Sequence, residues 1–125
     1  MILDTNGLSA LAEGEPGLEP ILRKAAQVAI PVIVLGEYRY GISQSRYRQH
    51  YERWLNEYLS RFRILNVDER TTVAYSAVRT KLKTAGTPIP SNDVWIAALC
   101  HQHSMPLLSR DHHFDAVPGI TRLEW

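Results

Sequence analysis

Residues 1–125 predict one α/β domain, with helices covering both faces of a central parallel sheet. Two features carry that prediction. Short apolar runs alternate with longer segments of helical periodicity along the whole chain, and strands that are apolar throughout belong to parallel sheets buried on both sides. A chain of 125 residues is also long enough to bury about two-thirds of its unfolded surface unaided. It contains no internal repeat, linker or low-complexity segment.

In chain order, MIL reads as a short buried strand and NGLSALAEG as a helix closed by Gly14. Pro16 suits the first turn of a second helix, PGLEPILRKAAQ. VAI is the second strand, and Pro31 opens a helix through VIVLGEYRYG that ends at Gly41. A long amphipathic helix from about Ser45 to Arg61 follows, with Tyr47, Tyr51, Trp54, Leu55 and Tyr58 at helical spacing. FRIL is the third strand; Asp68 then caps a helix that runs to Ala85 and stops at Gly86. GTPIP forms a rigid loop, after which Ser91 caps NDVWIAALCHQH, whose apolar side carries Val94, Trp95, Ala98 and Leu99. MPLLS is the fourth strand, DHHFD a short turn or helix, and ITRLEW a closing strand.

Hydrophobic content of 45% and a balance of 14 basic against 13 acidic residues are those of an ordinary globular chain. The single Cys100 forms no internal disulfide, so nothing points to an oxidising compartment. No signal-peptide pattern opens the chain, and no apolar run approaches the ~20 residues of a membrane span. The expected location is the cytoplasm, with no membrane partner. The basic residues are unevenly placed: six arginines (Arg39, Arg46, Arg48, Arg53, Arg61, Arg63) fall between positions 39 and 63 against only Glu52 and Glu57. Arginine suits phosphate recognition through its planar fork. The same run is equally a solvated helix face with aromatic anchors.

Four carboxylates occupy positions that a parallel sheet gathers at one edge. Asp4 ends the first strand, Glu37 lies one to two turns into the helix after the second, Asp93 is in the first turn of its helix, and Asp111 follows PLLS. Ligands collect beyond the carboxyl ends of such strands. Each acid also has a plain structural explanation: Asp4 or Thr5 as a helix cap, Asp93 as a partner of the helix dipole, Asp111 as the start of a short helix, and Glu37 as an exposed residue. Glu37 fits its explanation worst, because its surroundings are apolar and aromatic and a buried carboxylate is costly unless paired. Four convergent carboxylates repel one another unless a divalent cation neutralises them. Oxygen ligands without His or thiolate select Mg²⁺ or Mn²⁺ over Zn²⁺. Such a site supports phosphodiester hydrolysis by a metal-activated water.

LDTN, Glu37 within LGEYRYG, SNDVWIAA and LLSRDHHFDAVPG resemble, in this order, the motifs of PIN-domain ribonucleases, most closely the VapC-type toxins of toxin–antitoxin pairs. The resemblance runs from Asp4 to Gly119 and implies a PIN-like three-layer α/β/α fold over residues 1–125. Asp4, Glu37, Asp93 and Asp111 match the acidic quartet that holds Mg²⁺ or Mn²⁺ and carries catalysis in that family. Thr5 and Asn6 match the surroundings of the first acid, Ser109 the usual hydroxyl support, Asn92 the usual neighbour of the third acid, and Asp115 an accessory position. On this basis Asp4 is expected to be a ligand, with capping left to the residues after it. The resemblance further implies an RNA substrate cut to 5′-phosphate and 3′-hydroxyl ends, a homodimer, and a VapB-type antitoxin whose C-terminal segment sets a basic residue against the quartet. MIL is a clipped first strand by comparison, so the start is read as lacking a few residues. Gly7 replaces a more typical branched residue, weakening the first helical turn by up to ~1 kcal/mol.

Setting the quartet aside leaves 14 basic against nine acidic residues, a surface suited to salt-sensitive RNA binding. Arg39, Arg46, Arg48 and Arg53 are the candidate contacts. The Tyr/Trp stripe after Tyr47 is read as core or partner surface rather than a base-stacking platform. His112 and His113 are read as exposed, with RNA contact or proton donation as the alternative. Cys100 and His103 lack a second pair for zinc, and Ser109 with His112 lacks a nucleophile elbow. A phosphoaspartate mechanism at Asp4 wants a second Asp at position 6, which is Asn6. The rival from another class is a PIN-like binding module that has lost catalysis; all four acids are nevertheless present.

Overall fold

In the computed structural model, which describes residues 1–125, the apolar runs become five short strands: β1 (Ile2–Leu3), β2 (Ala29–Pro31), β3 (Arg63–Leu65), β4 (Leu107–Leu108) and β5 (Arg122–Leu123). They form one sheet in the order β3-β2-β1-β4-β5, and every pairing is parallel. Successive side chains of a strand point to opposite faces. Ile2 and Leu107 accordingly enter the larger hydrophobic core, whereas Leu3 and Leu108 enter a smaller one with Ala10 and Leu18. The sheet is thus covered on both sides, as the apolar strands predict. No helix is long and apolar enough to cross a membrane.

Six helices connect the strands: α1 (Thr5–Ala12), α2 (Leu18–Arg23), α3 (Val32–Ser43), α4 (Arg48–Tyr58), α5 (Glu69–Ala85) and α6 (Ser91–His103). The ends of α5 fall where the sequence puts them. Asp68 and Thr71 close a reciprocal capping box, and Gly86 ends the helix in the left-handed conformation at φ 72°. Other boundaries differ. α2 is much shorter than PGLEPILRKAAQ, because it starts after a left-handed Gly17 and closes with i to i−3 bonds at Lys24 and Ala25. α3 continues past Gly41 to Ser43, its last turn anchored by buried Ile42. α4 begins at Arg48 rather than Ser45, since residues 45–47 form a turn in which Tyr47 N–H donates to Ser45 Oγ at 3.0 Å. Ser91 is the first residue of α6 and not its cap; Pro90 takes that place and its carbonyl accepts from Val94 N–H at 3.1 Å.

The strand order reverses between β1 and β4. In open parallel sheets that switch point leaves a crevice at the carboxyl ends of the two strands. Gly7 brings α1 against this crevice: a Cβ there would lie 3.1 Å from the Leu108 carbonyl oxygen and 3.4 Å from Asp4 Oδ1. The weakness that Gly7 adds to the helix therefore accompanies a close approach to β4.

α4 is anchored differently from the rest. Leu55 is its one fully buried residue, while Tyr51 and Trp54 are half-buried and Tyr47 is 60% exposed. Leu55→Ala is expected to lower stability by about 2–5 kcal/mol, the cost of a large-to-small change at a buried site. A urea unfolding curve measures it, and a loss under ~1 kcal/mol would mean that the site collapses around the smaller side chain.

Candidate active site

Asp4 follows β1 directly and is 3% exposed. Its Oδ1 accepts from Gly7 N–H at 2.8 Å, so Asp4 is itself the N-cap of α1. The expectation that later residues do the capping is corrected here: the carboxylate's two oxygens divide the work. Oδ2 accepts from the hydroxyl of Ser109, which is fully buried after β4. The same hydroxyl accepts from Asp111 N–H at 2.9 Å. Ser109 thereby fixes the first and fourth acids to one another across the switch point.

Glu37 is held from two sides. Thr5 Oγ1 donates to its Oε2 at 2.9 Å and Asn92 Nδ2 to its Oε1 at 2.8 Å. The starts of α1 and α6 are thereby tied to the middle of α3. Asp93, one residue on from Asn92, faces Asp111 across His113. The His113 ring places Nδ1 3.2 Å from both Asp93 Oδ2 and Asp111 Oδ1, and His113 N–H donates to Asp111 Oδ1 at 2.9 Å. Donor atoms of Asp93, Asp111 and His113 all lie within 4.8 Å of one another. His113 is exposed, as expected, yet it sits between two of the acids. Its only signal in the sequence is a place two residues beyond Asp111, within reach of an Asx turn.

Electrostatics bind the four acids together. Burial pushes the Asp4 carboxyl above the ordinary range; Ser109 and Gly7 pull it down, and the charges of Asp111 and Asp93 push it further up. Asp93 is likewise raised, first by burial, with His113 opposing and Asp111 and Glu37 adding. Carboxylates that dominate a donor set with one imidazole, two of them held above the ordinary range, are donor chemistry for a divalent cation. The residues present fit such an ion.

Other expected residues lie elsewhere. Asn6 is exposed and bonds to none of the four acids. Asp115 bonds to none of the four acids: Arg122 takes both its oxygens, at 2.7 and 3.1 Å, and holds its carboxyl down to about 2. Nothing in the sequence points to that bidentate pair, and Arg122 Nη1 also donates to the Ser109 carbonyl at 2.9 Å. Of the four arginines, Arg46, Arg48 and Arg53 line one cleft of about 570 Å³ at the start of α4, and Arg39 stands apart from it.

The sequence model of the PIN domain family matches residues 1–120. The chain is 33% identical to the ribonuclease VapC4 of Mycobacterium tuberculosis, covering 73% of this chain and 72% of that protein. It is 30% identical to the ribonuclease VapC2 of Rickettsia felis over 84% of this chain and 79% of that one. Its fold superposes on the crystal structure of VapBC2 from Rickettsia felis, bound to a DNA fragment from the promoter, with a TM-score of 0.87 and 28% identity, covering 99% and 97% of the two chains.

Asp4 and Asp93 bind protons more tightly folded than unfolded. The stability they contribute is therefore present at low pH and is lost as pH rises from about 4 through their raised values. Asp115 acts in the opposite sense and only below about pH 4. Metal-free Asp93→Asn is expected to melt above the parent at neutral pH, with a gain that shrinks as pH falls toward about 4. A lower melting temperature at neutral pH would mean that the protein compensates this charge itself.

Proposed function

The chain belongs to the PIN-domain family, among its VapC ribonucleases, and from that premise we propose that it is a divalent-metal-dependent endoribonuclease, the toxin of a toxin–antitoxin pair, with Asp4, Glu37, Asp93 and Asp111 as its ligand set. The observation that carries this reading is that donor atoms of Asp93, Asp111 and His113 lie within 4.8 Å of one another, with Asp4 and Glu37 near enough for their charges to be felt there. The raised Asp4 and Asp93 pKa values support it: burial is the main cause, neighbouring carboxylates add to it, and a cation would relieve both. Mg²⁺ or Mn²⁺ suits the oxygen donors. When bound, such an ion lowers the pKa of a coordinated water and neutralises charge on the phosphate as the P–O3′ bond breaks.

The protein's own residues orient and support. Ser109 sets Asp4 and Asp111, and Thr5 and Asn92 set Glu37. These bonds fix carboxylate orientation in advance, so the site reorganises little when substrate arrives. His113 holds its Nδ1 toward Asp93 and Asp111, which leaves Nε2 to face a phosphate oxygen. The arginine cleft supplies positive charge for the RNA backbone and makes binding salt-sensitive.

The partner proposed is a VapB-type antitoxin, as in the superposed Rickettsia felis complex. A dense acidic centre invites a basic side chain from its C-terminal segment. A second copy of the chain is the other partner that the family implies.

Purified protein is expected to cut total cellular RNA at discrete positions with Mg²⁺ or Mn²⁺ and to stop in EDTA. Asp93→Asn is expected to lower cutting on the order of 100-fold or more, since several kcal/mol of charge stabilisation goes with the ion. Cutting that survives both EDTA and the substitution would remove the quartet from the chemistry. No cutting by folded, antitoxin-free protein on any RNA class would favour a binding module. Mg²⁺ or Mn²⁺ is also expected to raise the melting temperature of the parent and not of Asp93→Asn.

A further inference from the structure

Beside the acidic centre lies a second cleft of about 270 Å³ between α1 and α3. Thr5 and Glu37 form its inner end. Ile42, Tyr38 and Tyr51 supply apolar and aromatic wall, and Ser9, Ser45 and Glu13 supply polar groups. Tyr38 is 3% exposed, and its phenolic oxygen is buried without a hydrogen-bond partner in the protein. Buried hydroxyls nearly always find partners, and one left unpaired in the wall of a cleft calls for an explanation. Ser45 lines both this cleft and the arginine cleft of Arg46, Arg48 and Arg53, so the two adjoin.

Resting on the ribonuclease reading above, we propose that this cleft receives one base of the RNA beside the bond that is cut, that Tyr38 Oη reads that base by a hydrogen bond, and that the arginine cleft holds the next phosphate. The volume is below the ~300–1,000 Å³ of drug-sized sites, which suits one base and not a stacked pair. An aromatic and aliphatic wall carrying a few hydroxyls is the surface that recognises an unstacked base. Glu13 at the rim accepts from an exocyclic amino group, as carboxylates do from cytosine N4. The cleft therefore prefers adenine, cytosine or guanine to uracil, which has no such group. From Glu37 to Ser43 the chain runs six residues of α3, about 9 Å along the axis, so the sugar-phosphate backbone passes from the acids to the arginines in a short step.

Tyr38→Phe tests this cleanly, because it removes only the unpartnered oxygen. Its melting temperature is expected to equal or exceed that of the parent. The probes are AMP, CMP, GMP and UMP, titrated into each protein and followed by amide NMR shifts. The three amino-bearing nucleotides are expected to bind the parent more tightly than UMP and to shift residues lining both clefts. Tyr38→Phe is expected to weaken those three by roughly two- to tenfold, the worth of one neutral hydrogen bond, and to flatten the preference. Arg48→Ala is expected to weaken all four alike. Equal affinities in parent and Tyr38→Phe, or shifts that miss the cleft, would overturn the proposal. So would a Tyr38→Phe change that leaves nucleotides unaffected and loosens an antitoxin complex, since the cleft would then belong to a protein segment. Nucleotide binding without RNA cleavage would keep the cleft and sink the nuclease, and cleavage without nucleotide binding would do the reverse.

Discussion

A single buried hydroxyl holds the acidic edge of this protein in order. Ser109 donates to Asp4 and accepts from the backbone of Asp111, so it joins the ends of β1 and β4 at the point where the strand order turns back. Without it, two like charges at adjacent strand ends would be free to swing apart into solvent. Asp4 is in turn bonded to the first turn of α1, which places Thr5 to hold Glu37, and Asn92 reaches the same carboxylate from α6. The chain of contacts runs through four elements and ends at the carboxylates. Buried polar networks of this kind are costly when partly satisfied and rigid when complete.

The sheet and its covering helices are legible in the sequence because apolar strands and helical spacing need only local pattern. α5 is the clearest case, since Asp68 and Gly86 act through bonds within a few residues of themselves. The failures have a common cause. Ser91 has the chemistry of a cap, yet the fixed backbone of Pro90 takes the role and leaves Ser91 Oγ 3.3 Å from Tyr75 Oη. Gly41 has the chemistry of a helix stop, yet burial of Ile42 carries the helix on. At the site, acids placed after strands and in first turns can be listed from the sequence. Which of them meet is a matter of distant packing. Asp115 is drawn off by an arginine on the last strand, and His113 is drawn in by a turn with no pattern of its own.

Charge is segregated along α3. Its middle carries Glu37, beside the other carboxylates, and the turn beyond its end opens onto three arginines. Negative and positive regions so close together oppose each other's influence on a phosphodiester chain unless a cation masks the first. On the proposed reading, charge neutralisation and substrate capture would be coupled: a cation among the acids would lift their repulsion of a phosphodiester chain and leave the arginines to act without opposition.

The shallow seating of α4 has a consequence for how substrate is met. With one fully buried side chain beside half-buried Tyr51 and Trp54, α4 carries less buried apolar surface than α3 or α6, a property of segments that open locally before global unfolding. Arg48 and Arg53 ride on that helix, while the acids sit on the sheet and on helices packed against it. The carboxylates thus sit on the better-buried part of the molecule and these two arginines on a less buried helix. A ligand that held α4 more firmly would spend part of its affinity on that ordering.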